Sequence, residues 1–410
     1  VPPLLDRPPD RAGVRRANLA LLVRLLRRHG AQSRAQLSTR SGLSKATVSN
    51  LVAELEARAL VQSGGRHEGG QGRPGQLVEL RPRGTWGIGL ELDAGHVGST
   101  LLDLSGTATT RRRTAADVRA LGPERTLDEL AALVTAAMSE VDGWDGGGQV
   151  AGVAVAVPGL AGAGTVRVAP GLGWRDVALA DGLAARTGLP PERIVVGNDA
   201  GLAAVAETDR GTARGCSDVV FLLGGAGVGA GLIAGGNLIR AGEAGHLPLG
   251  PAGRLCACGR RGCWQTAVGV DALLRSFAAP GDLVHDPALD LAQRTSIVRR
   301  RAQRGDRGVL DALAGLGAAL GLGIAVLADL LDPRMVVLGG YFAPLCDWLA
   351  EPIRAELTAR SVTAEAGGLR IVPSRLGFTA VGTGAAQAAI RPLLDDPTLA
   401  PAGAPVSVEA

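Results

Sequence analysis

Between Gly242 and Gly269 the chain reads GEAGHLPLGPAGRLCACGRRGCWQTAVG, and three of its five cysteines, Cys256, Cys258 and Cys263, follow His246 in that stretch. Thiolate sulfur and imidazole nitrogen suit Zn²⁺, and four such donors close a tetrahedral site with no position left for a substrate or a reactive water. The stretch is therefore expected to fold around a structural Zn²⁺ held by His246, Cys256, Cys258 and Cys263. Gly259 and Gly262 supply the sharp bends that such a short loop needs. Three cysteines in a metal-like cluster also fit a reducing compartment better than a disulfide scaffold, which makes the cytoplasm the expected location.

A chain of 410 residues can hold two or three domains, and with 46% hydrophobic but only 2% aromatic residues its core must be built from Leu, Val and Ala. No uncharged apolar run reaches the roughly 18 residues of a membrane span, and no signal-type segment is expected. Charge is divided unevenly. Residues 1–83 carry 15 Arg or Lys against 6 Asp or Glu, a net of +9, so that the remaining residues carry 4 − 9 = −5. A basic head on an acidic body points to a polyanionic partner at one end.

Within that head, VPPLLDRPPDRA reads as a disordered tail over 1–13. Leu19, Leu22, Val23 and Leu26 recur at helical spacing, which predicts a helix over 14–29 ended by Gly30. Ser33 then caps a short helix over 34–40, and Ser44 caps a third with Val48, Leu51, Val52 and Leu55 on its apolar face. Two helices joined by the Gly-containing turn Ser41-Gly42-Leu43 form a helix-turn-helix pattern, whose second helix enters the major groove by its N-terminal end. Ser44, Lys45, Thr47, Ser49 and Asn50 stand there and can reach phosphates or base edges. Leu60–Ser63 and Gln76–Leu80 read as the two strands of a wing, with Arg73 in its Gly72-Arg73-Pro74 tip placed for a minor groove. The head, 14–83, is thus expected to be a winged helix-turn-helix that binds double-stranded DNA.

The body alternates strand-like and Ala/Leu-rich helical runs, an α/β pattern. Trp86–Gly106 and Val219–Gly236 each read as strand, Gly-containing turn, strand, as expected if each opens one half of a duplicated domain. The glycines of the second, Gly225 to Gly231, serve tight hairpins and close packing as readily as a nucleotide. Cys216 and Cys346 read as small core residues, and His285 as a solvated loop residue.

Glu243-Ala-Gly-His246 followed by CxCGxxGCW resembles the ROK family, which comprises sugar kinases and sugar-responsive repressors. Val157-Pro-Gly159, Val196-Gly-Asn198-Asp199 and Gly382-Thr-Gly384 are similar to further family pieces and fall in family order. The resemblance implies a two-lobed actin-like fold, lobe 1 over 84–206 and lobe 2 over 207–392, with a final helix returning to lobe 1 and a disordered tail over 393–410. It also implies sugar contacts from Asn198, Asp199, Glu243 and His246, and from Gln265 where the family has Glu.

Three departures matter. Gln265 carries no charge, Gly171 stands where many relatives have a sugar-contacting Asn, and Glu91-Leu-Asp93-Ala-Gly-His96 stands where the family's kinases have DxGGTK. Side chains fill the space where phosphate needs bare backbone, so phosphoryl transfer and any catalytic residue are expected to be absent. The expectation is a regulator that binds a DNA operator as a homodimer or homotetramer with a monosaccharide as effector. The alternatives are an active ATP-dependent sugar kinase with a DNA-binding head, or a regulator with no sugar ligand.

Overall fold

Asp10 opens the first helix, α1 (Arg11–His29), by accepting a hydrogen bond from the Gly13 amide, and Gly30 closes it at a positive φ of 72°. The computed structural model describes residues 10–66, 76–144, 148–239, 243–250, 252–363 and 368–401. Residues 10–13, expected in a disordered tail, are therefore capped helix, because one Asp at the N-cap satisfies a free amide of the first turn. The two-residue β1 (Gln32–Ser33) leads into α2 (Arg34–Ser41), which starts on a capping box between Ser33 and Gln36. Gly42 in the left-handed region ends α2, and Ser44 caps α3 (Lys45–Ala57) by accepting from Thr47 N. β2 (Val61–Arg66) and β3 (Gln76–Leu80) pair antiparallel, and β1 adds to β3 as a third strand. Arg73 lies outside the described residues.

Lobe 1 begins with β4 (Thr85–Asp93), β5 (His96–Asp103) and β6 (Ala108–Ala115), followed by α4 (Val118–Asp142) and β7 (Gln149–Val157). A small sheet of β8 (Leu160–Gly162), β9 (Thr165–Ala169) and β10 (Trp174–Val177) precedes α5 (Leu179–Thr187), β11 (Ile194–Asn198) and α6 (Asp199–Arg210). The main sheet runs β11-β7-β4-β5-β6.

Lobe 2 repeats that plan. β12 (Val219–Gly224), β13 (Val228–Ala234) and β14 (Asn237–Ile239) are antiparallel, β15 (Met335–Gly340) joins β12 in parallel, and β16 (Arg370–Pro373) joins β15 in parallel. Between them come α7 (Gln265–Val268), α8 (Val270–Phe277), α9 (Leu291–Gln303), α10 (Arg307–Leu331) and α11 (Cys346–Arg360). By length and composition α10 could cross a membrane, an exception to the sequence expectation. Its apolarity has another use here: Leu313, Leu320 and Ile324 are fully buried in the lobe 2 core. Cys346 is buried there too, while Cys216 and His285 are only half-buried, His285 closing a 3-10 turn over Leu283–His285.

The last helix, α12 (Ala380–Asp395), packs across β4 and against α6. Small residues allow it: a Cβ on Gly87 would meet Ala389 Cβ at 3.2 Å, and one on Gly384 would stand 3.0 Å from Ala203 N. A Cβ on Gly229 would come within 2.8 Å of Ala200 Cβ, so this glycine lets β13 lie against α6. The core of the head continues without a break into lobe 1, where Leu102 of β5, Leu104 just after it, and Ile390, Leu393 and Leu394 of α12 join Leu22, Leu26 and Leu51. The chain remains ordered past 393: Asp396 caps a turn over Pro397–Leu399, and Arg58 Nη1 donates to the carbonyls of Thr398 and Ala400 at 3.0 and 2.6 Å. Only 402–410 of the expected C-terminal tail lies outside the described residues.

Candidate functional site

A cleft of about 360 Å³ opens between the lobes, lined among others by Glu91, Asp93, His96, Asn198, Asp199, Glu243, His246 and Gln265. Parallel pairing of β11 with β7 delivers Asn198 and Asp199 to its floor at the start of α6. Asn198 is the N-cap, accepting from Gly201 N at 2.8 Å and donating from Nδ2 to the Gly159 carbonyl at 3.0 Å. Its amide ties the Val157-Pro-Gly159 turn to α6 and has one donor hydrogen to spare. Asp199 accepts from Ala200 N at 2.7 Å. Desolvation on the cleft floor, reinforced by the charges of Asp93 and Glu243, pushes its carboxyl up to about 7. Glu243 is also shifted upward by burial. Asp199 is thus poised to exchange a proton or a hydrogen bond with a hydroxyl near neutral pH.

The Gly-rich stretch after Glu243 folds into a loop whose His246, Cys256, Cys258 and Cys263 offer four donor atoms within 4.8 Å of one another, a cluster that can hold a metal ion. Cys256 N donates to the Arg260 carbonyl at 2.7 Å, and Gly259 and Gly262 take φ of 83° and 70° in the reversal that returns Cys263 to the cluster. His246 turns Nδ1 toward Cys256 Sγ, at 3.6 Å, and Nε2 toward Glu243 Oε2, at 3.7 Å. One ring thus links the candidate metal cluster to the cleft carboxylate. Trp264, 2% exposed, fastens the loop to lobe 2 by donating to the Ala319 carbonyl at 2.8 Å.

Gln265 lines the cleft, yet its amide Nε2 donates to Cys256 Sγ at 3.1 Å. A Cβ on Gly227 or Gly245 would lie 2.9 Å from its Oε1, so both neighbours must be glycine for the amide to seat there. Gly171 also lines the cleft, with open space where its Cβ would stand.

At the β4–β5 hairpin the structure adds a cluster that sequence reasoning missed. Glu91 Oε1 accepts from Gly382 N at 2.6 Å, its Oε2 lies 3.5 Å from His96 Nε2, and Arg113 Nη2 lies 3.1 Å from His96 Nδ1. Arg113 is on β6, one strand away and 17 positions on, which no local motif signals.

The residues singled out on the head stand together at the first turns of α3, away from the cleft. Ser44, Lys45, Ser49 and Asn50 are exposed; Ser44 caps the helix by accepting from Thr47 N, and its hydroxyl lies 2.8 Å from that of Thr47.

Residues 88–391 match the ROK family. The xylose repressor of Bacillus subtilis (strain 168) is 26% identical over 94% of this chain and 98% of its own length. The glucokinase of Streptomyces coelicolor is 30% identical over 65% of this chain and 85% of its own. Among solved structures, a ROK family transcriptional regulator, homolog of the E. coli Mlc protein, superposes with a TM-score of 0.72 at 24% identity over 94% of this chain and 98% of that one. A ROK family glucokinase from Streptomyces griseus, in complex with glucose and AMPPNP, does so with a TM-score of 0.63 at 28% identity over 75% of this chain and 99% of that one. The repeated lobes are the sugar-kinase fold, and the chain belongs to the ROK family.

Proposed function

We propose that this chain is a sugar-responsive transcription regulator, a repressor of carbohydrate genes, whose kinase-like body senses a monosaccharide and carries out no phosphoryl transfer. The observation that carries the reading is what precedes the family match. The match begins at residue 88, and the described residues before it form three helices and a three-stranded sheet with an exposed, Lys-bearing helix start. The relative named a xylose repressor aligns over nearly the whole chain, whereas the glucokinase leaves about a third of it unmatched.

A winged helix-turn-helix accounts for that head. α2, the turn Gly42–Ser44 and α3 are its two helices, and β2 and β3 are its wing. Lys45, Ser49 and Asn50 would reach into the major groove from α3, with Ser44 and Thr47 fixing its first turn and Arg73 extending from the wing. A homodimer or homotetramer would present two such helices to two half-sites of an operator.

In the body, Asp199, Glu243 and Asn198 would contact sugar hydroxyls, with His246 positioning Glu243. The donor set of three thiols and one imidazole fits Zn²⁺, which would staple the loop and bring no chemistry of its own. Loss of kinase activity follows from the hairpin. The Glu91 carboxylate is engaged by Gly382 N and His96, and Asp93 and Ala94 carry side chains where the kinases' paired glycines leave backbone bare for an ATP phosphate.

The test is selection of a duplex from a random pool by the purified protein, followed by titration of the selected sequence and a scrambled control. A preference of about a thousandfold or more is expected; equal binding of both duplexes would sink the reading. A coupled assay should show no sugar-dependent ATP consumption, and turnover would instead make the chain a kinase with a DNA-binding head. A regulator without a sugar ligand is favoured by one observation, the turning of Gln265 toward sulfur. A melting-temperature screen against monosaccharides that moves nothing would favour that alternative.

A further inference from the structure

Helix α6 begins in the cleft and ends on the head. Its first turn carries Asn198 and Asp199, and its last carries Asp209 and Arg210, about 18 Å away for 12 residues. There Asp209 Oδ2 lies 3.2 Å from Nη2 of Arg27, a residue of α1. The same carboxylate oxygen lies 3.2 Å from Nε of Arg210, whose Nη1 and Nη2 donate to the carbonyls of Gly106 and Ser105 at 2.5 and 3.2 Å.

Arg27 is placed unusually for an arginine. Its side chain is 10% exposed, its Nε is buried without a hydrogen-bond partner, and Asp209 is its only ion-pair partner among the described residues. Burial lowers its guanidinium to about 10, with Asp209 and Asp103 opposing that shift and Arg210 and Arg391 adding to it. A guanidinium kept out of water with one paired carboxylate is stable only while the carboxylate stays in reach. Such a contact has two states, made and broken, and does not stretch.

We propose that the Asp209–Arg27 pair is the latch by which the cleft controls the head: a shift of α6 caused by an occupant at Asp199 is transmitted along the helix to Asp209, and breaking or making the pair with Arg27 sets the position of α1. This rests on the reading of the cleft as a ligand site. The packing of α6 favours it. The first half of the helix is seated against β13 and α12 on the bare backbone of Gly229 and Gly384, and its 12 residues run as one uninterrupted helix to Arg210. A displacement at one end is therefore carried to the other. Other ties between head and body among the described residues, namely the apolar seam to Leu102, Leu104 and α12, the Arg24–Asp395 pair at 3.6 Å and the bonds from Arg58, do not involve α6. Among the described residues the latch is the one ion pair between the cleft helix and α1, joining a desolvated Arg27 to the half-exposed Asp209.

The test uses the full chain with Asp209→Asn, Arg27→Gln, Asp199→Asn and the double change Asp199→Asn/Asp209→Asn, with bound metal measured in each to verify that lobe 2 is folded. Amide hydrogen exchange is followed in residues 19–29 and 199–203. Asp209→Asn and Arg27→Gln should each speed exchange in α1 by about tenfold or more. Asp199→Asn, which disturbs the far end of α6 without any sugar, should change α1 exchange several-fold in the parent chain and less than about twofold in the Asp209→Asn background. Equal effects of Asp199→Asn in both backgrounds, or α1 exchange untouched by Asp209→Asn and Arg27→Gln, would overturn the latch. A second arm adds D-xylose. A response in 199–203 that does not reach 19–29 also overturns the latch and leaves the sugar reading standing. A response in neither segment counts against xylose as the occupant, and the Asp199→Asn comparison then decides the latch alone.

Discussion

The amide of Gln265 points its Nε2 at the sulfur of Cys256, 3.1 Å away. A side chain on the wall of the cleft is thereby bonded to one of the four donors of the candidate metal cluster. An N–H donor stabilises a thiolate, whereas a carboxylate in its place would repel it. Replacing Gln265 by Glu should therefore loosen Zn²⁺ loaded into the cluster by about tenfold to a hundredfold, read as the chelator concentration that removes half of it. Unchanged metal retention would mean that the N–H···S contact contributes nothing to the cluster.

Asp199 gives the cleft a pH dependence whose sign can be worked out. Its carboxyl is raised to about 7 in the folded chain, by desolvation first and by Asp93 and Glu243 next, against about 3.9 when unfolded. Glu91, Asp271, His96 and His246 face the same cleft. Between the two values the folded state holds a proton that the unfolded state has released, so stability is greatest below pH 4 on this account and falls as pH rises toward 7. The slope approaches about 1.4 kcal/mol per pH unit. Asp199→Asn, which cannot ionise, should flatten the melting-temperature profile between pH 4.5 and about 7 relative to the parent. Parallel profiles would show that Asp199 titrates normally.

What the sequence disclosed, and what it withheld, follows the range of the interactions. The caps Ser33 and Ser44 and the stop at Gly42 are local devices, and the structure places them where the residues predict. The Cys/His spacing is equally local, and its four donors do converge. Asp10 was legible by the same rule, but the four prolines before it made the stretch read as a tail. Glu207 was not legible. It is fully buried, and its carboxylate accepts from Thr212 N, Ser374 Oγ and Leu376 N, the last two more than 160 positions away. The contacts of Glu91 with Gly382 and of Arg27 with Asp209 span 291 and 182 positions. Nothing in the neighbourhood of either residue announces a partner so distant, because only the completed fold creates the desolvated site that makes the pairing worthwhile.

The surface of α3 should separate phosphate contact from base reading. Lys45→Ala removes one cation, so it should weaken binding to every sequence alike and reduce the slope of log K against log salt by about 1. Asn50→Ala removes a side chain able to pair with a base edge. It should cost about 1–3 kcal/mol on the selected operator and little on a scrambled duplex. Anisotropy titrations at three salt concentrations distinguish the two. Equal losses on both duplexes for Asn50→Ala would place that residue on the backbone.

Gly384 sits where α12 crosses α6, and a Cβ there would fall on the Leu202 carbonyl and stand 3.0 Å from Ala203 N. Those are backbone atoms, so no rotamer change relieves the collision, and one of the two helices must move. Ala is the better helix former by about 1 kcal/mol, which favours the substitution in isolation. Overpacking opposes it by about 1–3 kcal/mol, and here it should win because the neighbour is helix backbone on both sides of the contact. Gly384→Ala should therefore lower the melting temperature by a few degrees in a chain of this size. Gly315, in α10 with open space around its Cβ position, provides the control: Gly315→Ala should raise it slightly. If both changes stabilise the protein equally, the α6–α12 crossing has slack, and α6 could move without disturbing the lobes.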